Sequence, residues 1–87
     1  MHELSLIADL MRKISAAAPH PQRQKIVGVK VWLGALAHIS PEHFREHFVQ
    51  AAKGTPAENA RLEIELSDDT THPNAQDLVL KSIEVEE

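Results

Sequence analysis

The run from Lys25 to Leu36 constrains this chain more than any other stretch. Val27, Val29, Val31 and Leu33 take every second position, with Ile26, Gly28, Lys30 and Trp32 between them. A strand turns successive side chains to opposite faces, so this spacing predicts a β-strand with its valine side toward the remaining apolar elements. Trp32 then lies on the other face, where it either covers a thin sheet or anchors a partner. Gly34 marks a strand end or a bulge. Two shorter segments can pair with this strand. In Arg61 to Leu66, Leu62, Ile64 and Leu66 alternate with Arg61, Glu63 and Glu65. Leu78 to Val85 is also extended in pattern but slips phase, and a bulge near Lys81 and Ser82 would return Leu78, Leu80, Ile83 and Val85 to one side.

Two segments carry helical spacing instead. From Glu3 to Ala18, Leu4, Ile7, Leu10, Met11 and Ile14 recur at three and four residues, which predicts a helix with one apolar stripe. Glu3, Asp9, Arg12 and Lys13 fall on its solvent side. Pro19-His20-Pro21 ends it, because the residue before a proline is disfavoured in helix. Gln22 to Lys25 is a polar connection. The second helix has a sharp start: Ser40 suits the N-cap, Pro41 the first turn, and Glu42 the positive end of the dipole. Phe44, Phe48, Ala51 and Ala52 form its buried side, and Gly54 stands where a left-handed C-cap belongs. His43 and His47 share one flank of this helix. Without a third donor nearby they read as solvated residues, as does His38.

Ser67 to Asp77 is polar and without hydrophobic period, and reads as an exposed loop dispensable for folding. The element order is α-β-α-β-β. Strand one, helix two and strand two predict a parallel, right-handed crossover. Strands two and three are then expected to pair as an antiparallel hairpin across the polar loop. The expected class is α+β, with both helices on one face of a three-stranded mixed sheet.

An 87-residue chain makes one domain, residues 1–87, and at this size only about 60% of the unfolded surface is buried. A net charge of −4 with no basic stripe, two phenylalanines and one tryptophan argue against nucleic acid. No apolar run is long enough to span a membrane, and charges within the first helix exclude a secretory signal. No cysteine is present, which removes disulfides and thiolate metal sites and fits a cytoplasmic protein. No nucleophile with a base, phosphate loop or paired-carboxylate motif points to catalysis.

The opening Met1-His2-Glu3-Leu4-Ser5-Leu6 carries the one constellation with metal chemistry. The Met1 α-amine, the His2 backbone nitrogen once deprotonated, and the His2 ring can close fused chelate rings on one ion. Methionine is expected to stay, since the second residue is not small. Four in-plane nitrogen or oxygen donors suit Ni(II) or Cu(II), and the terminus supplies three. The same residues also read simply as a helix start, with Glu3 favoured in the first turn.

This opening resembles that of the HypA/HybF family, nickel-insertion accessory proteins for nickel–iron hydrogenase and, in some organisms, urease. Val31-Trp32-Leu33-Gly34-Ala35-Leu36, Ser40-Pro41-Glu42-His43-Phe44-Arg45, Lys53-Gly54-Thr55, Ala60-Arg61-Leu62-Glu63-Ile64-Glu65 and Leu80-Lys81-Ser82-Ile83-Glu84-Val85 follow in the family's order. The resemblance implies a nickel metallochaperone that binds Ni(II) at its N-terminus through His2, Glu3 and the Met1 α-amine. It also implies a nickel-handling GTPase and a hydrogenase large subunit as partners. Family members normally carry a zinc module with two Cys-x-x-Cys pairs between the last two strands. This chain has loop 67–77 there instead, so no structural zinc is expected, and His72 is a possible further nickel ligand. The alternative is a degenerate relative that keeps protein docking without metal delivery, or a small regulatory subunit that shares only the fold.

Overall fold

Five elements form, in the order α1 (His2–Ala17), β1 (Ile26–Leu33), α2 (Pro41–Ala52), β2 (Arg61–Leu66) and β3 (Leu78–Val85). The computed structural model describes residues 2–17, 25–37 and 39–86, with side chains from Ser5 onward in the first segment. The class is α+β, with two helices against a three-stranded mixed sheet, as the patterning predicts.

The helix stripes do what their spacing implies. Ile7, Leu10 and Ile14 are buried and Met11 packs beside them; the side chain of Leu4 lies outside the described residues. In α2 the Ser40 hydroxyl accepts the His43 amide at 3.1 Å, closing the N-cap ahead of Pro41. Ser40→Ala should therefore lower stability by about 1 kcal/mol in a denaturant titration. Phe44, Phe48 and Ala52 are buried in the same cluster as Ile7, Leu10, Val29, Val31 and Leu33. The helix ends in a turn rather than a simple left-handed cap. Lys53 is extended, Gly54 has φ +77°, and the Thr55 amide donates to the Ala52 carbonyl at 3.0 Å. These values fit a type II turn, whose third residue requires positive φ.

The sheet order β2-β1-β3 corrects the expected hairpin. β1 pairs with β2 in parallel, as expected of a crossover through α2, and with β3 antiparallel. β2 and β3 do not pair, because β1 lies between them; Arg61 of β2 reaches Glu84 of β3 only by its side chain, over Gly28. The register against β3 shifts twice. One shift sets Lys30 opposite Ser82 and the next residue, Val31, opposite Leu80, which leaves Lys81 as the extra residue of a bulge. This is the bulge that the phase slip predicts, and Leu78, Leu80, Ile83 and Val85 all join the core side. The other shift, between Ile26 and Gly28, was not anticipated. It makes Val27 the extra residue, so Ile26 is buried and Val27 only half-buried, the reverse of simple alternation. A bulge changes which parity faces inward.

With β1 central, the polar segment 67–77 must cross its end to carry the chain from β2 to β3. The crossing is bonded down: Ser67 N donates to Leu33 O at 3.0 Å, Gly34 N to Asp77 O at 2.9 Å, and Leu36 N to Ala75 O at 2.7 Å. Ala75 is buried. The segment is therefore part of the fold, which corrects the expectation of a dispensable loop. Exchanging residues 70–75 for glycine and serine should cost about 1–3 kcal/mol in thermal unfolding, from a lost hydrogen bond and lost burial.

Candidate functional site: the start of α1 and the β1 end of the sheet

Of the nitrogen donors expected for an ion, the His2 amide lies at the start of α1. The helix runs from His2, and the first four backbone N–H groups of any helix lack intrahelical partners. The amides of His2 and Glu3 are therefore not spent on the helical ladder. Met1 lies outside the described residues, as do the side chains of His2 and Glu3. Later turns of the helix fix its direction. Met11, Ile14 and Ser15 border a cavity with Ile26 and the turn Gly54–Ala57, at the end of the sheet where β1 begins. The last turns of α1 thus lie at the end of the sheet where β1 begins.

His72 belongs to the crossing segment 67–77, but it is turned away from the helices. Its ring lies 4.8 Å from that of Trp32, at 45°. Trp32 alternates with Val31 and Leu33, which face the core, so Trp32 and His72 occupy the helix-free face. They share a cleft of about 180 Å³ with Asn74, Val79 and Lys81. The Asn74 amide donates to His72 Nδ1 at 2.9 Å, so a neutral ring carries its proton on Nε2. Ligating an ion through Nε2 would move that proton to Nδ1, against the Asn74 N–H. His72 is thus committed within its own segment and to Trp32. The same contact means that Trp32 is half-buried and partnered within the chain, not fully exposed. Nothing local in the sequence signals this pairing, since the two residues are distant along the chain.

Asp69 buttresses the segment. Its carboxylate accepts the Thr71 amide at 3.0 Å and hydroxyl at 2.8 Å. These bonds, the hydroxyl's first, hold its pKa below the usual carboxylate value. A depressed folded pKa means that the stabilisation is present above the ordinary carboxylate pKa and lost as pH falls through the folded one. On α2, His43 is exposed and His47 half-buried. Among the described residues no group of three or more His, Cys, Asp or Glu is placed to hold an ion, and no helix is long and apolar enough to cross a membrane.

Comparison with known proteins bears on the same stretches. A family model described as "Hydrogenase/urease nickel incorporation, metallochaperone, hypA" matches residues 1–85. Among curated relatives, a hydrogenase maturation factor HypA of Chloroflexus aggregans is 42% identical over 65 residues, 75% of this chain and 57% of the relative. That of Archaeoglobus fulgidus is 39% identical over 64 residues, 74% of this chain and 58% of the relative. That of Chlorobium limicola is 40% identical over 65 residues, 75% and 56% of the two chains. The chain thus spans less than two-thirds of the length of each of these relatives. A match from the first residue to the end of β3 makes this chain a member of the HypA family of hydrogenase/urease nickel-incorporation metallochaperones.

Proposed function

We propose that the chain carries nickel: it takes up Ni(II) at the start of α1 and passes it on for maturation of nickel–iron hydrogenase. What carries the reading is that the family match begins at residue 1 and so includes Met1, His2 and Glu3. The donors are the Met1 α-amine, the His2 backbone nitrogen and the His2 ring. Glu3 contributes its backbone nitrogen or a partner contact. A deprotonated amide and the Glu3 carboxylate offset the positive end of the helix dipole, which by itself repels a cation. Where Glu3 makes only a partner contact, the fourth donor comes from water, a partner protein or His72, which must first give up the Asn74 amide. The role is carriage, not catalysis. Its setting is cytoplasmic, with a nickel-handling GTPase and the hydrogenase large subunit as partners. Loop 67–77 stands where the resemblance puts the family's zinc module and holds no cysteine, so structural zinc is not expected.

Calorimetric titration tests the site. The intact chain should bind Ni(II) at about one ion per chain, with micromolar or weaker affinity, since a square-planar site lacks its fourth protein donor. Binding should weaken as pH falls, because the amine and imidazole must be deprotonated. His2→Ala, or a short extension that removes the free α-amine, should abolish most of the affinity. Equal isotherms for wild type and His2→Ala would overturn the assignment. A folded chain that binds no nickel would favour a second reading, a docking module that has lost delivery. The absence of cysteine from loop 67–77, where the resemblance puts the family's Cys-x-x-Cys pairs, favours that reading.

A further inference from the structure

We propose that the outer edge of β2 receives an extended segment of another protein, one that alternates apolar and basic residues and adds to the sheet as a fourth strand. Successive residues of an edge strand point their backbone groups alternately toward the neighbouring strand and away from it. Ser67 N bonds to Leu33 O, so the odd-numbered residues of this stretch turn their backbone to β1. The N–H and C=O groups of Leu62, Ile64 and Leu66 therefore face outward. The one partner seen there among the described residues is Arg45, whose guanidinium donates to Leu62 O at 3.1 Å. The outward groups of Ile64 and Leu66 remain a template for strand addition.

The two sheet edges are not equivalent. β3 carries a bulge at Lys81, and a bulge blunts an edge. β2 pairs in unbroken register from Arg61 to Leu66. Of the two large apolar side chains that stand exposed among the described residues, Leu66, 60% exposed, lies at the end of β2. An added strand would place its apolar residues on the helix side, beside Ile64 and Leu66. Its intervening residues would lie on the helix-free face, opposite Glu63 and Glu65.

Charge selects the occupant. Glu63 is bonded to Arg61 at 3.3 Å, whereas no hydrogen bond or ion pair engages Glu65 among the described residues. Antiparallel pairing of two copies of β2 that matches Ile64 with Ile64, or with Leu62 or Leu66, brings glutamate against glutamate. Like charges directly opposed destabilise a strand pair. The edge is therefore set against a second copy and toward a strand with lysine or arginine at alternate positions.

The test uses blocked peptides of alternating valine and lysine, or valine and glutamate, added to the full chain and followed by amide NMR. The lysine peptide should bind about tenfold or more tightly than the glutamate one, and slow hydrogen exchange at the Ile64 and Leu66 amides. Glu65→Lys, an exposed and conservative change for folding, should erase most of that preference. Equal binding of the two peptides, or binding without protection of Ile64 and Leu66, would overturn the proposal. So would protection of those amides without peptide that grows with protein concentration, because a second copy would then occupy the edge.

Discussion

Phe48→Ala is expected to remove about 3–5 kcal/mol of stability, the largest loss predicted for any single side chain here. Phe48 is 1% exposed and its ring centroid lies 6.4 Å from that of Phe44, itself fully buried. With few aromatic residues in the chain, these two rings supply much of the volume between α2 and the sheet. Truncation loses the transfer free energy of the ring and leaves a void that Val29, Val31 and Leu10 cannot fill without moving. Domains of this size hold only about 5–15 kcal/mol in total, so the variant should sit near the folding threshold. A urea titration should show a lower midpoint with an unchanged slope. Phe48→Leu should recover much of the loss, because it restores most of the volume. A Phe48→Ala melting temperature within about two degrees of wild type would show that α2 is not anchored through this face.

Gly34→Ala is expected to be nearly as damaging, for a reason of space rather than conformation. A Cβ at Gly34 would lie 2.3 Å from Ala75 O, 2.6 Å from Ala75 C and 2.7 Å from Asn74 O. All three are backbone atoms, and they cannot swing aside. The hydrogen bonds from Gly34 N to Asp77 O and from Leu36 N to Ala75 O tie the two segments together on either side of the contact. The methyl group must lift the crossing segment off the end of β1, at a cost of about 1–3 kcal/mol or more. Two other glycines serve as controls. At Gly28 the nearest atoms are the ends of the Arg61 and Glu84 side chains, which can move, so alanine there should be far milder. At Gly54 nothing lies within 4 Å, but φ is +77°. Alanine there should cost about 1 kcal/mol through backbone strain alone. If Gly34→Ala proved no worse than Gly28→Ala by thermal unfolding, the seating of segment 67–77 against β1 would be wrong.

The helix-free face shows how an expectation from sequence can be right in placement and incomplete in consequence. Alternation correctly sets Trp32 opposite the core valines. It gives no hint that His72 would cover the indole, because contact between residues so distant in the chain depends on the path of segment 67–77. His72 was thus legible as a possible donor only through the family resemblance, from its place in the loop that stands for the zinc module. The tautomer that occupies it depends on the Asn74 amide, which only the folded turn supplies. The terminal donors stand differently. Met1, His2 and Glu3 are readable as a chelating set because their nitrogens are neighbours in the covalent chain.

What the sequence determined by itself is local. The stripe of Ile7, Leu10 and Ile14, the Ser40-Pro41 helix start, the pairing face of Phe44 and Phe48, and the slip at Lys81 all follow from periods and caps within a few residues. The tertiary structure decided the rest: β1 in the centre, β2 and β3 apart, and a polar segment bonded across the strand's end. The hairpin expectation failed because side-chain periodicity says which face of a strand is buried but not which strand lies beside it. Closing a loop to the far side of β1 differs little in entropy from closing a hairpin. The hydrogen bonds of Gly34 and Leu36, and the burial of Ala75 against a residue without a side chain, then settle the choice.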